Sequence, residues 1–350
     1  MSYAKRIRLT DAIRDKLAVE LSRIRIDGEF GPEHGELARS VIEEYAGAEA
    51  LEAIYASFDP SADPPPLSVI ENGPISRDVA DIAGPSPHNS RRPAWRTEWV
   101  EELFMGGVLQ AAGMKIHALQ DEYGGDLTHY LCSNAKLTSV PTRTSRSELK
   151  PHSDNSVLLC FQPHAVALYG LRRENPIATK FYDVEDLARA IGPYHLASLM
   201  KSIFQLRDPV SFHLDGSPQV FSPPVPALYR DRRGRILGCF SVYNHRAVPG
   251  FETEATEAVE ALIRAASRPE LVLEGDLAPG TLALADNQRT FHSRGDIMGD
   301  RIILRQYGMR SLAGHAATGA SVSGRPNRYY GKVLMEAGWR HVVTSETARA

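Results

Sequence analysis

Apolar residues recur at helical spacing in several segments of the chain. Near the N-terminus Leu17, Leu21 and Ile24 lie three or four positions apart, behind Thr10, whose hydroxyl can accept a hydrogen bond from an unpaired backbone N–H. This pattern predicts a helix that begins after Thr10 and runs through Arg23. The same spacing predicts further helices over residues 33–58, 99–110, 184–204 and 253–266, the last with Thr253 as its cap.

Short apolar runs bounded by Gly, Pro and polar residues fill most of the chain between residues 66 and 310. They predict strands over residues 66–71, 127–132, 156–161, 165–171, 179–182, 236–243, 271–274, 281–285 and 301–309. Many short strands with a few covering helices predict a mainly β fold, a double-stranded β-helix (jelly roll). We expect one domain, with an N-terminal helical region at 1–60, the core at 66–310 and a C-terminal tail at 311–350.

Composition and charge exclude several classes of protein. The 350 residues are 43% hydrophobic and carry 40 basic against 43 acidic side chains, enough apolar content for a core and too little positive charge to coat nucleic acid. Charged residues interrupt every apolar run near the N-terminus, and no later run is long enough to span a membrane. We therefore expect a cytoplasmic protein without nucleic-acid or membrane partners, whose oligomeric state the sequence leaves open. Cys132, Cys160 and Cys239 lack metal-site spacing, which predicts reduced, buried thiols.

Three residues form a candidate metal site. His152 and Asp154 stand two positions apart, so on an extended strand they face the same side and can share one ligand. A second histidine, His292, follows another apolar run far downstream. Two histidines and one carboxylate are the ligands of non-haem Fe(II) sites that leave coordination positions open for a co-substrate and O₂. The sequence therefore predicts iron bound by these three side chains.

Two arginines follow on the last predicted strand of the core. Arg301 and Arg305 are four positions apart and share one strand face. If that face is the barrel interior, two buried guanidinium groups require anionic partners, and a bidentate carboxylate is the usual one. A dicarboxylate co-substrate that chelates the metal at one end could pair with Arg301 at the other.

These residues resemble a known family, the clavaminate synthase-like branch of the taurine dioxygenase superfamily of Fe(II)- and 2-oxoglutarate-dependent oxygenases. The likeness spans roughly residues 66–310. It includes SVIENGPIS at 68–76, QDEYGGDL at 120–127, the HxD triplet, and a closing block DNxRTxHxR…DRxxLRxY over 286–307. The last block is the most specific of these, because so many of its polar positions match the family's pattern.

The resemblance implies a role for each matching residue. His152, Asp154 and His292 correspond to the iron ligands and form the catalytic centre. Arg301 corresponds to the arginine that binds the distal carboxylate of 2-oxoglutarate, with Arg305 as its companion. Thr179 falls where relatives have a threonine that also holds 2-oxoglutarate. The implied cofactors are Fe(II), 2-oxoglutarate as co-substrate and O₂.

The implied reaction is oxidation of an unactivated C–H bond in a free amino acid or small derivative, with release of succinate and CO₂. Hydroxylation is the expected outcome, within specialised metabolism. Asp154 stands where related halogenases have Gly or Ala, which disfavours halogenation. Many relatives that oxidise arginine or asparagine have Glu there, so this departure leaves the substrate open.

Substrate contacts are expected from Gln120, Asn155, Tyr243 and Asn244. The run at 236–244 contains no acid, whereas arginine-oxidising relatives have acidic residues there, which disfavours an arginine side chain as substrate. Three alternatives remain: desaturation or cyclisation by the same centre, a zinc-dependent hydrolase using the same ligands, and a non-catalytic barrel that binds a metabolite.

Overall fold

The computed structural model describes residues 4–59, 61, 63–81, 92–93, 96–132, 147–176, 179–212, 218–273, 276–297, 299 and 301–347. Its α-helices are α1 Asp11–Ser22, α2 Pro32–Tyr45, α3 Ala48–Ala56, α4 Val100–Ala111, α5 Val184–Leu199, α6 Glu252–Ala266, α7 Ala313–Ala317 and α8 Gly331–Thr347. Its strands are β1 Lys5–Arg8, β2 Leu67–Glu71, β3 Lys115–Leu119, β4 His129–Cys132, β5 Leu149–His152, β6 Ala165–Arg173, β7 Thr179–Asp183, β8 Phe204–Leu206, β9 Leu228–Arg230, β10 Ile236–Gly238, β11 His245–Ala247, β12 Leu282–Asp286, β13 Thr290–Arg294, β14 Arg301–Met309 and β15 Arg328–Tyr329. Glu274 and Asp300, within the predicted strand 271–274 and the DRxxLRxY motif, lie outside the described residues.

Eight strands form one large mixed sheet. Its order is β1-β2-β12-β6-β14-β3-β15, and β4 also pairs with β14. The central strands are apolar on both faces. On β12, for example, Leu282 and Leu284 pack toward the N-terminal helices while Ala283 and Ala285 face the other side. This two-sided burial explains the continuous apolar run in the sequence.

A smaller sheet lies against the large one and carries the two histidines. Its order is β5-β13-β7, and both pairings are antiparallel. Phe181 of β7 packs in one apolar cluster with Val166, Leu168 and Ile303 of the large sheet. The two sheets therefore enclose a common interior.

Helices cover the outer surfaces of this pair of sheets. The N-terminal helices α1 to α4 pack on the far face of the large sheet, and the closest helix pair among them is α2 with α4. Gly107 permits this approach, because a Cβ at that position would lie 2.8 Å from the backbone of Ala38. Helices α5 and α6 form a second cluster beside β7, and α8 packs on the segment after β5.

Three predicted strands are corrected. Ser156–Phe161 is a 3₁₀ helix and not a strand. Asn155 and Leu159 have positive φ angles of 54° and 53°, which are incompatible with an extended strand. The apolar side chains of this 3₁₀ helix are covered by α8, whose Trp339 donates a hydrogen bond to the Val157 carbonyl. The run at 271–274 follows a 3₁₀ turn, Pro269–Leu271, and the strand predicted over 236–243 ends at Gly238.

Helix boundaries also differ from the prediction. The segment 33–58 is two helices, because Gly47 has a left-handed φ of 82° that turns the chain between α2 and α3. Helix α5 ends at Leu199, and Phe204 belongs to β8. Thr253 lies inside α6 and does not cap it, since a turn at Gly250 starts the helix earlier.

The two chain ends join the fold more fully than the prediction of a helical N-terminal region and a tail implies. Strand β1 pairs in parallel with β2 in the large sheet. At the other end, β15 pairs in parallel with β3, and α8 packs on the 3₁₀ helix. The cap at Thr10 is as predicted, with its hydroxyl accepting from the Ile13 N–H.

Among the described residues, none of the helices is both long and apolar enough to cross a membrane. The three cysteines are unbridged, as predicted, but Cys160 is exposed and only Cys132 and Cys239 are buried.

Candidate active site

Strand pairing brings the two histidines together. His152 at the end of β5 lies opposite His292 in the middle of β13, and their ring centroids are 4.2 Å apart. Asp154 follows in the turn after β5, with Oδ1 3.9 Å from the Nε2 atom of each histidine. One ligand atom from each of the three side chains lies within 4.8 Å of the others. Among the described residues this is the one such group of three that could hold a metal ion.

The orientation of His152 is fixed by its own strand. Its Nδ1 lies 2.8 Å from the carbonyl oxygen of Lys150, a distance at which the Nδ1–H donates to that carbonyl. This tautomer presents the lone pair of Nε2 to the metal position. A backbone bridge between His152 and Ser241 further anchors the end of the strand.

The backbone of Asp154 is held by the amide of Asn287, which is 1% exposed. The Asn287 Oδ1 accepts from the Asp154 N–H at 2.9 Å, and its Nδ2 donates to the carbonyls of Asp154 and Pro163 at 3.0 Å. Asn155 supports the same turn with a left-handed φ of 54°. Asn287 thus ties the turn that carries the carboxylate to the loop between β12 and β13.

The Asp154 carboxylate is oriented by two residues of β14. Arg305 donates to Oδ2 at 3.0 Å, and the Tyr307 hydroxyl donates to the same oxygen at 3.2 Å. Oδ1 is therefore the oxygen that faces both imidazole rings. Arg305 also contacts the Nδ1 atom of His129 at 2.9 Å and lies 3.8 Å from Glu122.

Arg301 lies in the same interior without an ionic partner. It is 8% exposed and donates to the Thr179 hydroxyl, and no carboxylate of the described chain lies within ion-pair distance of it. Burial, together with the nearby positive charge of Arg294, lowers the pKa of Arg301 to about 9. A buried guanidinium in this condition favours an anionic ligand.

One cavity between the two sheets collects these side chains. Arg301 and Arg305 both line it, as their spacing on one strand predicts. Its described lining is Leu131, Leu149, His152, Asp154, Leu168, Thr179, His292, Ser293, Arg294, Ile297, Arg301, Ile303 and Arg305.

None of the four predicted substrate contacts is among the described lining residues of this cavity, and Asn155 lies in the turn directly after Asp154. Gln120 accepts a hydrogen bond from Arg325, and its own amide donates to the Gly124 carbonyl. Tyr243 accepts from the Lys150 N–H and so braces β5. Asn244 lies in the turn before β11, where its carbonyl accepts from the Arg207 N–H.

Sequence reasoning assigned no role to several residues that surround Asp154. Asn287 and Tyr307 stand in the DNxRT and DRxxLRxY motifs, so the motif itself was a usable signal. Tyr307 also lies two positions after Arg305 and so shares its strand face. Glu122 also stands in a quoted stretch, QDEYGGDL, whereas His129 carries no comparable signal, because only the pairing of β4 with β14 brings it to Arg305.

The donor set matches the chemistry of ferrous iron. Two imidazole nitrogens and one carboxylate oxygen suit Fe(II), and three ligands leave positions for a chelating anion and a gas molecule. The outer hydrogen bonds to His152 and Asp154 are of the kind that orient metal ligands.

Comparison with solved structures finds the same fold. An asparagine oxygenase in complex with Fe(II), hydroxyasparagine and succinate superposes with a TM-score of 0.77 at 18% identity, covering 93% of this chain and 99% of that one. The non-haem iron oxygenase OrfP with Fe, succinate and a dihydroxyarginine gives 0.72 at 18% identity, over 91% and 98% of the two chains. OrfP with Fe and alpha-ketoglutaric acid gives 0.71 at 19% identity, over 93% and 99%.

No curated protein sequence matches the chain. The model of the taurine catabolism dioxygenase TauD, TfdA family matches residues 104–307, more than half of the chain, and this span contains every member of the His152, Asp154 and His292 group. The chain belongs to the TauD/TfdA dioxygenase family.

Proposed function

We propose that this protein is an Fe(II)- and 2-oxoglutarate-dependent oxygenase that hydroxylates an unactivated C–H bond of a free amino acid or a small derivative. The observation that carries the proposal is the cavity that holds both the His152, Asp154 and His292 group and the guanidinium of Arg301, which has no carboxylate partner among the described residues. Membership of the dioxygenase family supports it, as does the likeness to oxygenases crystallised with amino-acid products.

His152, Asp154 and His292 would hold the iron through Nε2, Oδ1 and Nε2. When bound, iron with 2-oxoglutarate and O₂ supplies the oxidising power for C–H hydroxylation, with succinate and CO₂ as by-products. The protein itself orients the ligand atoms of these three side chains toward one metal position. Lys150 orients the first imidazole, and Arg305 with Tyr307 orients the carboxylate.

Arg301 would bind the distal carboxylate of 2-oxoglutarate, with Thr179 aligning its guanidinium. The guanidinium is buried between two sheets and donates to a hydroxyl, but no anion of the described residues pairs with it, so an anionic ligand is favoured there. A dicarboxylate satisfies both ends of the cavity, since the metal takes one end and Arg301 the other. A neutral co-substrate would leave Arg301 uncompensated.

Arg305 is shared in this proposal between the metal ligand and the substrate. It contacts Asp154 and lies 3.8 Å from Glu122, so its guanidinium would meet an amino acid's carboxylate while the Glu122 carboxylate would meet the ammonium group. Binding an amino acid here would place its side chain toward the metal while water is displaced. Gln120, Asn155, Tyr243 and Asn244 stay predictions as substrate contacts, although none of them is among the described lining residues of the cavity.

The same proposal covers the architecture and setting. We infer one oxygenase domain with a double-stranded β-helix core, because the three-stranded sheet faces the large sheet and the site lies between them. A reducing, cytoplasmic setting agrees with three unbridged cysteines.

The test is a screen for succinate release with the proteinogenic amino acids and their common derivatives, with product masses measured. We expect one substrate class to give succinate and a product heavier by one oxygen atom, dependent on Fe(II), 2-oxoglutarate and O₂. Loss of two hydrogens would indicate desaturation or ring closure instead. Turnover that continues without O₂ would contradict the proposal and favour hydrolysis.

A further inference from the structure

A second cavity lies on the other face of the large sheet from the metal-site cavity. Along β4, Leu131 lines the first cavity, whereas Tyr130, its neighbour, lines the second. The described lining of this outer cavity is Ile26, Gly28, Glu29, Phe30, Arg92, Pro93, Arg96, Thr97, Trp99, Glu102, Asp126, Leu127, Thr128 and Tyr130. It is separate from the cavity that holds His152.

Glu102, which lines this cavity, has a buried carboxylate oxygen with no hydrogen-bond partner among the described residues. Glu102 of α4 is 0% exposed, and its Oε1 accepts from the Tyr130 hydroxyl and from Arg92 Nε. Its Oε2 has no hydrogen-bond partner. An unsatisfied buried carboxylate oxygen is costly, so a donor is favoured at this point.

The charges around Glu102 do not balance. Three carboxylates, those of Asp78, Glu101 and Glu102, share two guanidinium groups, those of Arg92 and Arg96. Arg96 lies 2.7 Å from Glu101 and 3.2 Å from Asp78, and more distantly, at 3.9 Å, from Oε1 of Glu102. Counted over these five described side chains with every carboxylate ionised, the cluster carries one more negative than positive charge, in a place where water screens it little.

Other observations agree with a shortage of positive charge. Burial raises the pKa of Glu101, and burial with the adjacent Glu102 raises the pKa of Tyr130, which keeps its hydroxyl neutral and donating. The Nε–H of Arg96 also has no partner, but that guanidinium already serves Glu101, Ser76 and Tyr130. The Oε2 atom of Glu102 therefore favours a cation that can donate a hydrogen bond.

The cavity wall suits an organic cation. The guanidinium of Arg92 lies 3.7 Å from the centroid of the Trp99 ring while it donates to Glu102, so the site already holds one organic cation of this kind. Phe30 stacks beside Trp99, with ring centroids 6.3 Å apart. Aromatic walls next to a buried carboxylate match a small alkylammonium group.

We propose that this outer cavity is a second ligand site, which binds a small organic cation with N–H donors through Glu102 Oε2. The site is linked to the metal centre by position. Gln306 of β14 donates to the Glu102 carbonyl and to Thr128, and its neighbours in sequence, Arg305 and Tyr307, hold Asp154 on the opposite face.

The test is calorimetric titration of the full-length protein with methylammonium and with tetramethylammonium chloride at constant ionic strength. The two cations carry the same single positive charge, but only methylammonium can donate a hydrogen bond. We expect saturable binding of methylammonium and at least tenfold weaker binding of tetramethylammonium. Equal binding of the two, or no saturable binding of methylammonium, would overturn the proposal without any variant being needed.

Variants locate the site. Glu102→Gln should weaken methylammonium binding at least tenfold. Glu29→Gln is the matched control, because that carboxylate lines the same cavity but is already paired with Arg325 and Arg328, and it should leave binding unchanged. His152→Ala should also leave it unchanged. Retained affinity in folded Glu102→Gln, or loss in His152→Ala, would contradict the assignment.

Discussion

Replacing Arg301 by Gln should weaken 2-oxoglutarate binding while leaving the ligand-free protein no less stable. The second expectation follows from the surroundings of the side chain. Arg301 is buried, has no ionic partner in the described chain, and has its pKa lowered to about 9 by burial and the charge of Arg294. Removing such a charge relieves a desolvation cost in the unliganded state.

The magnitude comes from the pair that forms on binding. Removing one partner of a buried, hydrogen-bonded charge pair costs about 2–5 kcal/mol. Since about 1.4 kcal/mol corresponds to a tenfold change in affinity, Arg301→Gln should raise the dissociation constant of 2-oxoglutarate by about 30-fold or more. Arg301→Lys keeps the charge but loses the two-pronged geometry, so its loss should be smaller, about tenfold.

Anaerobic calorimetry of the Fe(II)-loaded protein with 2-oxoglutarate measures this directly, and thermal unfolding of the ligand-free protein measures the stability. Fe(II) affinity serves as the control, because Arg301 has no hydrogen bond or ion pair with the three candidate metal ligands. Unchanged 2-oxoglutarate affinity in a folded Arg301→Gln protein would refute the role given to Arg301. A large fall in the unfolding temperature of Arg301→Gln would refute the view that Arg301 has no ionic partner among the described residues.

Three further predictions test other parts of the structure. Asn287→Ala removes the hydrogen bonds that hold the turn carrying Asp154, so Fe(II) affinity should fall by about 10- to 100-fold in a metal titration. Unchanged Fe(II) affinity would show that Asn287 does not position Asp154. Gly107→Ala should lower the free energy of unfolding in urea by about 1–3 kcal/mol, because its Cβ would collide with the backbone of α2. Gly314→Ala is the control, because its Cβ would make only an ordinary van der Waals contact, so its effect should be far smaller. Equal effects of the two substitutions would contradict the close approach of α2 to α4. Burial lowers the pKa of His315 to about 4, so the unfolded chain binds more protons between that value and about 6.5 and stability should fall as the pH drops. His315→Gln should lessen the fall in unfolding free energy from pH 7 to pH 5 by about 2 kcal/mol, and an identical pH profile would argue against it.

The candidate metal ligands could be predicted from the sequence, because residue type and the alternation of side chains along a strand are enough to identify them. An HxD triplet, a distant histidine and two arginines four apart on one strand define what must meet, whatever the connecting chain does. The structure brings His152, Asp154 and His292 within reach of one ion. The pattern could not reveal all the groups around them, since His129 reaches Arg305 only through the pairing of β4 with β14.

The errors in the predicted elements share a physical cause. Residues 156–161 are apolar and short, so periodicity alone cannot separate a buried strand from a buried turn of helix. The deciding contact is with α8, which is distant in sequence. Gln120 illustrates the same limit, because its partner Arg325 lies 205 positions later, in the tail.

One ferrous ion and one 2-oxoglutarate are expected to bind together between the two sheets, and a spectroscopic titration detects this arrangement. Adding 2-oxoglutarate to the anaerobic Fe(II) protein should produce a weak visible charge-transfer band that saturates with one equivalent and is lost in His152→Ala. An unchanged spectrum in the wild-type protein, with iron shown to be bound, would contradict the binding of 2-oxoglutarate to that iron.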